Sequence, residues 1–198
     1  MNQLSVTKHF NKIAKDYDSY KKNHAYYSSL VKYELKKRIS KGKKILDYGC
    51  GTGEILNVLS PIKGIGFDAS GEMIKIAKKK FSNQKNLAFT NKIEEIKGNF
   101  DYIISVDTVE HFADPAKEFE KIKNFMDQKT KLIVSYGNPR WNWLIKILEK
   151  IAPKTPEGPH NRISQKGVII AAEKSGLKLV RPVPFWLIDI FTFVLPKN

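Results

Sequence analysis

Residues 44–59, KILDYGCGTGEILNVL, constrain the fold more than any other stretch of this chain. Lys44-Ile45-Leu46-Asp47-Tyr48 reads as a short apolar strand. The cluster Gly49-Cys50-Gly51-Thr52-Gly53 then separates it from a helix over 54–59, which Ser60-Pro61 stops. Three glycines so close together permit backbone conformations that a side chain would forbid, and they let a ligand lie against the main chain. A strand that feeds a helix through such a turn also aims the first N–H groups of the helix into the crevice beyond the strand. This arrangement belongs to a doubly wound α/β sheet, where ligands bind at the point of reversal in strand order.

The remainder keeps the same alternation. A second strand over 63–67 ends at Asp68, a helix follows over 71–81, and a third short strand covers 87–90. The run FDYIISV at 100–106 lacks polar alternation, as a parallel strand covered on both faces should. Asp114-Pro115 is a helix start, and that helix reaches about Met126 before a strand at 132–136. Ser164 caps a helix that closes at Gly176; a sixth strand starts over 177–180, and 188–195 reads as a seventh, antiparallel strand. Upstream, 6–18 and 28–39 carry apolar residues at helical spacing. The expected fold class is α/β: a doubly wound, mostly parallel seven-stranded sheet with helices on both faces and an antiparallel last strand. It forms a single domain over 1–198, with N-terminal helices in 1–40 and an acceptor-side helix and loop in 137–163.

Composition narrows the setting. At 198 residues, 41% hydrophobic and 28% charged, the chain suits one globular domain. A single cysteine excludes an internal disulfide and any Cys-rich metal site, and points to a reducing compartment. No apolar run approaches the roughly 20 residues that span a bilayer. The N-terminal stretch has no signal-peptide core, so a cytoplasmic location is expected. The balance of 35 Lys+Arg against 20 Asp+Glu gives +15, which admits a nucleic-acid partner. The lysines are dispersed as KK, KKR, KGKK and KKK on outer helix faces, which also serves plain solvation.

The glycine loop selects its ligand by charge. Asp68 lies 21 residues beyond Asp47 at the end of the second strand, where its carboxylate could accept both hydroxyls of a ribose. A dinucleotide fingerprint is G-x-G-x-x-G. Here Gly49, Gly51 and Gly53 form G-x-G-x-G, and Glu54 stands where the last glycine is required. Asp47 beside the loop would repel a pyrophosphate but suits the ammonium of a methionine moiety.

ILDYGCGTGEIL resembles motif I of the Rossmann-like S-adenosylmethionine-dependent methyltransferases. GIGFDAS resembles their second motif, and FDYIISVDTVEHFADP their fourth-strand motif. The leader HFNKIAKDYDSY is similar to that of the subgroup containing the quinone-biosynthesis and other small-molecule methyltransferases. The resemblance covers roughly 7–180. It implies that the loop from Asp47 through Gly49, Cys50, Gly51 and Gly53 holds S-adenosylmethionine, with Asp47 at the methionine ammonium. It places the ribose on Asp68 and the adenine beside Ala69 and Met73. Lys92, Ile93 and Glu94 match the segment bordering the adenine ring, although the family often has Asp there. Val106 would lie under the sulfonium.

On the acceptor side, methyl displacement from a sulfonium needs alignment and, at most, a base. The candidate catalytic residues are His111, next to Glu110 beyond the fourth strand, and His160 in the loop APKTPEGPHNR with Glu157 and Arg162. Glu110-His111 serves equally as a turn that shields the cofactor, and His160 as part of an ordinary polar loop. The (Asp/Asn)-Pro-Pro-(Tyr/Phe) motif of base and amide N-methylation is missing after the fourth strand. The only cysteine sits in the cofactor loop, and no carboxylate cluster for a metal is identified. The segment WNWLIKILEKI at 141–151 is either a buried helix or a mobile cover for a hydrophobic acceptor, with its tryptophans meeting an anionic membrane surface. The expected reaction is O- or C-methylation of a small-molecule or lipid-like acceptor. RNA or protein methylation, or cofactor binding without turnover, are the alternatives.

Overall fold

The computed structural model describes residues 2–23, 25–137, 158–161, 163–184 and 188–197. Seven strands form one sheet: β1 (Lys44–Tyr48), β2 (Lys63–Phe67), β3 (Leu87–Thr90), β4 (Tyr102–Val106), β5 (Lys131–Gly137), β6 (Lys178–Pro184) and β7 (Ile188–Val194). Their order is β3-β2-β1-β4-β5-β7-β6. The first five pair in parallel, and β7 runs antiparallel to both β5 and β6. Strand order therefore reverses between β1 and β4, which opens the crevice beyond their carboxyl ends.

Side-chain alternation along the strands divides the core into two layers. Ile45 and Ile104 face one layer, with Val31 and Leu35 of α3 (Ala25–Arg38), Leu56 of α4 (Glu54–Leu59) and Ile74 of α5 (Gly71–Lys80). Leu46 and Ile103 face the other, with Phe119 of α6 (Pro115–Lys123) and Val168 of α7 (Gln165–Lys174). Helix starts follow their capping chemistry: Ser70, Asp114 and Ser164 each accept a backbone N–H from three residues ahead.

The elements agree with the sequence reading except at some ends. Regular α6 stops at Lys123, and single turns carry the chain to Met126. The expected helix over 6–18 is in fact two: α1 (Gln3–Ile13) and α2 (Tyr17–Asn23). Ile13 and Ala14 bury themselves with Met73, and a tight Asp16 N–H to Ile13 carbonyl bond of 3.0 Å ends α1 there. α1 thus lies on α5 while α2 leads into α3. Periodicity could not reveal this break, because tertiary packing at Ala14 and not a helix-breaking residue causes it. The segment 141–151 and most of its following loop lie outside the described residues. Among the described residues, no helix is long and apolar enough to cross a membrane.

Phe119 anchors α6 to the sheet. It is fully buried, edge-on to Phe112 and tilted against Phe193, with ring centroids 6.2 and 6.1 Å away. Phe119→Ala should lower unfolding free energy by about 3–5 kcal/mol, measured by urea denaturation, and Phe119→Leu by clearly less.

Candidate active site

The turn after β1 is built on left-handed glycines. Gly49, Gly51 and Gly53 have φ of 91, 52 and 83°. Gly49 is also sterically obligatory, because a Cβ there would sit 2.4 Å from Thr108 Cγ2. The turn is tied to the end of β2: the Gly49 and Cys50 amides both donate to the Phe67 carbonyl, at 2.7 and 2.9 Å. The Gly51 amide donates to Asp68 Oδ2 at 2.8 Å, and the Ser70 amide to Asp68 Oδ1 at 2.8 Å. Burial raises the Asp68 carboxyl, and these two amides offset only part of that rise.

A cavity of about 330 Å³ opens beside this turn. Its floor is Gly49, Gly51, Asp68, Ala69 and Met73, one wall is Ile93 and Glu94, and Val106 and His111 close the far end. α1 covers it with Gln3, Val6, Thr7 and Phe10. A second cavity of about 500 Å³ continues past Gly49 and Gly51 to Asp47, Cys50 and Thr52, under α2 and α3. Tyr17, Val106 and Asp107 line both. Asp47 is 1% exposed, and its Oδ2 has no hydrogen-bond partner among the described residues. Burial, and then the Asp68 charge, push its carboxyl up to about 8. The same two aspartates, after burial itself, raise the Cys50 thiol, which keeps it protonated and unreactive.

Of the residues singled out in the sequence, Asp47, Gly49, Cys50, Gly51, Asp68, Ala69, Met73, Ile93, Glu94, Val106 and His111 line one or both cavities. Gly53 does not; it starts α4 beneath Phe89, whose Cε1 would lie 2.6 Å from an added Cβ. Lys92 is exposed and pairs with Glu95 at 3.5 Å. His160 lines neither cavity, and its Nδ1 contacts the Gly158 carbonyl at 3.0 Å. Its loop nonetheless reaches the site. Asn161 donates from its amide N–H to the Glu110 carbonyl and from Nδ2 to the Phe112 carbonyl, both at 2.7 Å.

His111 Nδ1 lies 3.0 Å from the Pro159 carbonyl. A carbonyl only accepts, so Nδ1 carries the proton and Nε2 a lone pair. Burial lowers the His111 pKa, favouring the neutral imidazole, and the ring meets Phe10 edge-on at 5.0 Å. Beside it, Asp107 adopts a φ of 49°, unusual for a residue with a side chain. Its Oδ1 accepts from the Tyr27 hydroxyl at 2.6 Å, and its Oδ2 meets the Lys21 ammonium at 3.6 Å. The Tyr17 phenol first, and Asp107 in addition, raise the Lys21 ammonium. Glu110 is pushed up by burial and by Asp107, and its Oε2 has no hydrogen-bond partner. Sequence reading missed Tyr17, Lys21, Tyr27 and Asp107 as a group, although the aromatic leader DYDSYKKNHAYY was visible. Among the described residues, no group of three or more His, Cys, Asp or Glu is placed to hold a metal ion.

Comparison with known proteins meets this geometry directly. A family model described as a methyltransferase domain matches residues 19–181. The chain belongs to the methyltransferase-domain family. The chain is 27% identical over 164 residues to ubiquinone biosynthesis O-methyltransferase of Coxiella burnetii, covering 76% of this chain and 70% of that one. It is 32% identical over 87 residues to probable tRNA methyltransferase 9B of Homo sapiens, covering 41% of this chain and 18% of that one. In fold it is similar to magnesium protoporphyrin IX methyltransferase from Synechocystis with bound SAH. The TM-score there is 0.63 at 18% identity, over 89% of this chain and 85% of that one. The chain spans less than half the length of several curated relatives that it matches.

The raised Asp47 and Glu110 carboxyls make stability depend on pH. An acid whose folded pKa exceeds its unfolded one holds extra protons in the folded state, so stability falls as pH rises between the two values. For Asp47 that window runs from the ordinary 3.8 up to about 8. Urea unfolding should show stability declining from pH ~5 to ~8, and Asp47→Asn should remove about half of the decline.

Proposed function

We propose that this protein is an S-adenosylmethionine-dependent methyltransferase acting on a small-molecule or lipid-like acceptor, by O- or C-methylation. The observation that carries the reading is the buried, unpartnered Oδ2 of Asp47 beside a glycine turn whose other end is tied to Asp68. An orphaned acid at that depth calls for a cationic partner, and the methionine ammonium is one. Asp68 keeps an unused lone pair on each oxygen for a ribose diol. Met73 and Ile93 offer an apolar slot for a purine, with Glu94 at its rim.

Bound S-adenosylmethionine would supply a methyl group on a sulfonium for one-step displacement. The chain's own part is alignment and exclusion of water by Phe10, Tyr17 and Val106. His111, with Nδ1–H fixed on the Pro159 carbonyl, can take a proton at Nε2 from a hydroxyl acceptor. The bound SAH in the Synechocystis structure and the quinone-pathway relative from Coxiella burnetii support this choice of cofactor and acceptor class.

Calorimetry should find S-adenosylmethionine and its demethylated product binding in the micromolar range, with no heat from NAD. Asp68→Ala and Asp47→Ala should each weaken binding by about 1–3 kcal/mol. Unchanged affinity in Asp68→Ala would falsify the ribose assignment. Because an occupied site needs the Asp47 anion, affinity should rise as pH increases toward about 8. For the acceptor, labelled S-adenosylmethionine incubated with fractionated extract should mark the small-molecule or lipid fraction. His111→Ala should then cut the labelling rate by about 10²–10⁴-fold while keeping cofactor affinity. Label in the RNA fraction alone would transfer the proposal to a nucleic-acid acceptor, the reading that the +15 charge and the tRNA methyltransferase relative favour.

A further inference from the structure

The acids of the site gather at the carboxyl ends of the strands, while the opposite end of the sheet is basic. β1, β2, β5 and β6 each open on an exposed lysine: Lys44, Lys63, Lys131 and Lys178. Strand register sets Lys44 directly beside Lys63, while Lys131, in line with Tyr102 and Ile45, stands one residue further along and leaves the opposite face of the sheet, so the strand-start lysines flank this end on both faces. Exposed Lys85 comes two residues before β3, so these lysines extend from one edge of the sheet to the other. At about 4.8 Å per strand interval, that span is about 29 Å. Among the described residues, none of these five lysines takes part in an ion pair. The acids at this end are few. Asp101 receives the Lys44 amide and meets Lys43 at 3.7 Å, and Asp127 is engaged by Lys129 and Thr130 amides.

Helix ends add to this charge. α3, α5, α6 and α7 all finish in lysines, and each runs toward the start of the next strand. Lysines at helix C-termini are explained by the helix dipole. Lysines at strand starts are not, since the small dipole of a parallel strand has its positive end there. Two tyrosines on α3, Tyr26 and Tyr33, are 71% and 61% exposed and lie seven residues apart on one face of that helix, ahead of exposed Lys36 and Lys37.

We propose that this end of the sheet is a docking surface for the phosphate backbone of single-stranded RNA, with Tyr33 stacking a base where the strand leaves the lysines. Unpaired lysines spread across the strand starts, with the exposed Tyr33 ring beside them, match the combination that single-stranded nucleic acid uses: a basic surface and a stacking face. An anionic bilayer fits less well. Docked here, it would point the crevice away from the membrane, from which a lipid-like acceptor would have to come. The surface is separate from the cofactor cavities, so the RNA is held as a tether while the crevice stays open.

The test measures fluorescence anisotropy of a labelled single-stranded RNA of about 12 nucleotides over a salt series, using the whole chain. Binding should be steeply salt-dependent. The triple variant Lys44→Glu/Lys63→Glu/Lys131→Glu should weaken it at least ~30-fold at about 50 mM salt and flatten the log–log slope by about 2–3. Tyr33→Ala should weaken it about 5–10-fold with the slope unchanged. The control triple Lys8→Glu/Lys12→Glu/Lys15→Glu removes as many exposed lysines from the leader, and should change affinity by less than about 3-fold. Both triples should bind SAH as the parent does, which certifies their folding. Equal losses in the two triples would mean diffuse attraction to a +15 chain and would overturn the proposal. So would no binding at low salt, or phosphatidylserine vesicle binding that the first triple abolishes while RNA affinity persists.

Discussion

Two amides on one carbonyl hold the functional end of this protein together. Gly49 and Cys50 both donate to Phe67, so the chain leaving β1 is clamped to the last residue of β2 before either helix begins. The clamp requires Gly49 at a φ of 91°, with Thr108 filling the space a side chain would need. It also brings the Gly51 amide onto Asp68. Two buried acids, Asp47 and Asp68, are thereby set close together; burial first, and the Asp68 charge in addition, raise Asp47, whose Oδ2 keeps no partner among the described residues. The adjoining cavities inherit their shape and charge from this turn.

A second consequence is a division of labour between the two acids. Asp68 is satisfied by backbone amides and kept ionisable, so it is a ready acceptor of hydroxyl groups. Asp47 Oδ2 has no such donor among the described residues, so its ionised form would gain from a cation in the adjoining cavity. The leader then closes over both. Asn11 accepts from the Ser70 hydroxyl at 2.7 Å, and Asp18 accepts from the Thr52 hydroxyl and from Lys80, both at 2.6 Å. α1 and α2 therefore form walls of the cavities rather than an appendage to the sheet.

The charge of the chain is organised along the strands. Carboxylates that matter for chemistry collect where the strands end, because that is where the crevice forms and where loops can turn inward. Lysines collect where strands start and helices finish, and a minority, Lys21, Lys22, Lys32, Lys80 and Lys121, line the cavities. The +15 total conceals this separation, and the sum alone gave little guidance about partners.

By itself the sequence determined the strands of the sheet, their boundaries to within one or two residues, and the glycine turn beside the cavities. Those features rest on local rules: apolar runs of strand length, glycines where φ must be positive, and Ser or Asp at helix starts. Asp47, Asp68 and His111 were legible because each stands at a fixed offset from a strand end. Tertiary structure alone decided the break between α1 and α2, the pairing of Tyr27 and Lys21 with Asp107, and the removal of Gly53, Lys92 and His160 from the cavity walls. Contacts between residues 80 apart, such as Tyr27 with Asp107, leave no periodic trace in the chain. They come into being only when the leader is folded back across the crevice, because burial there, and not local preference, selects the partner.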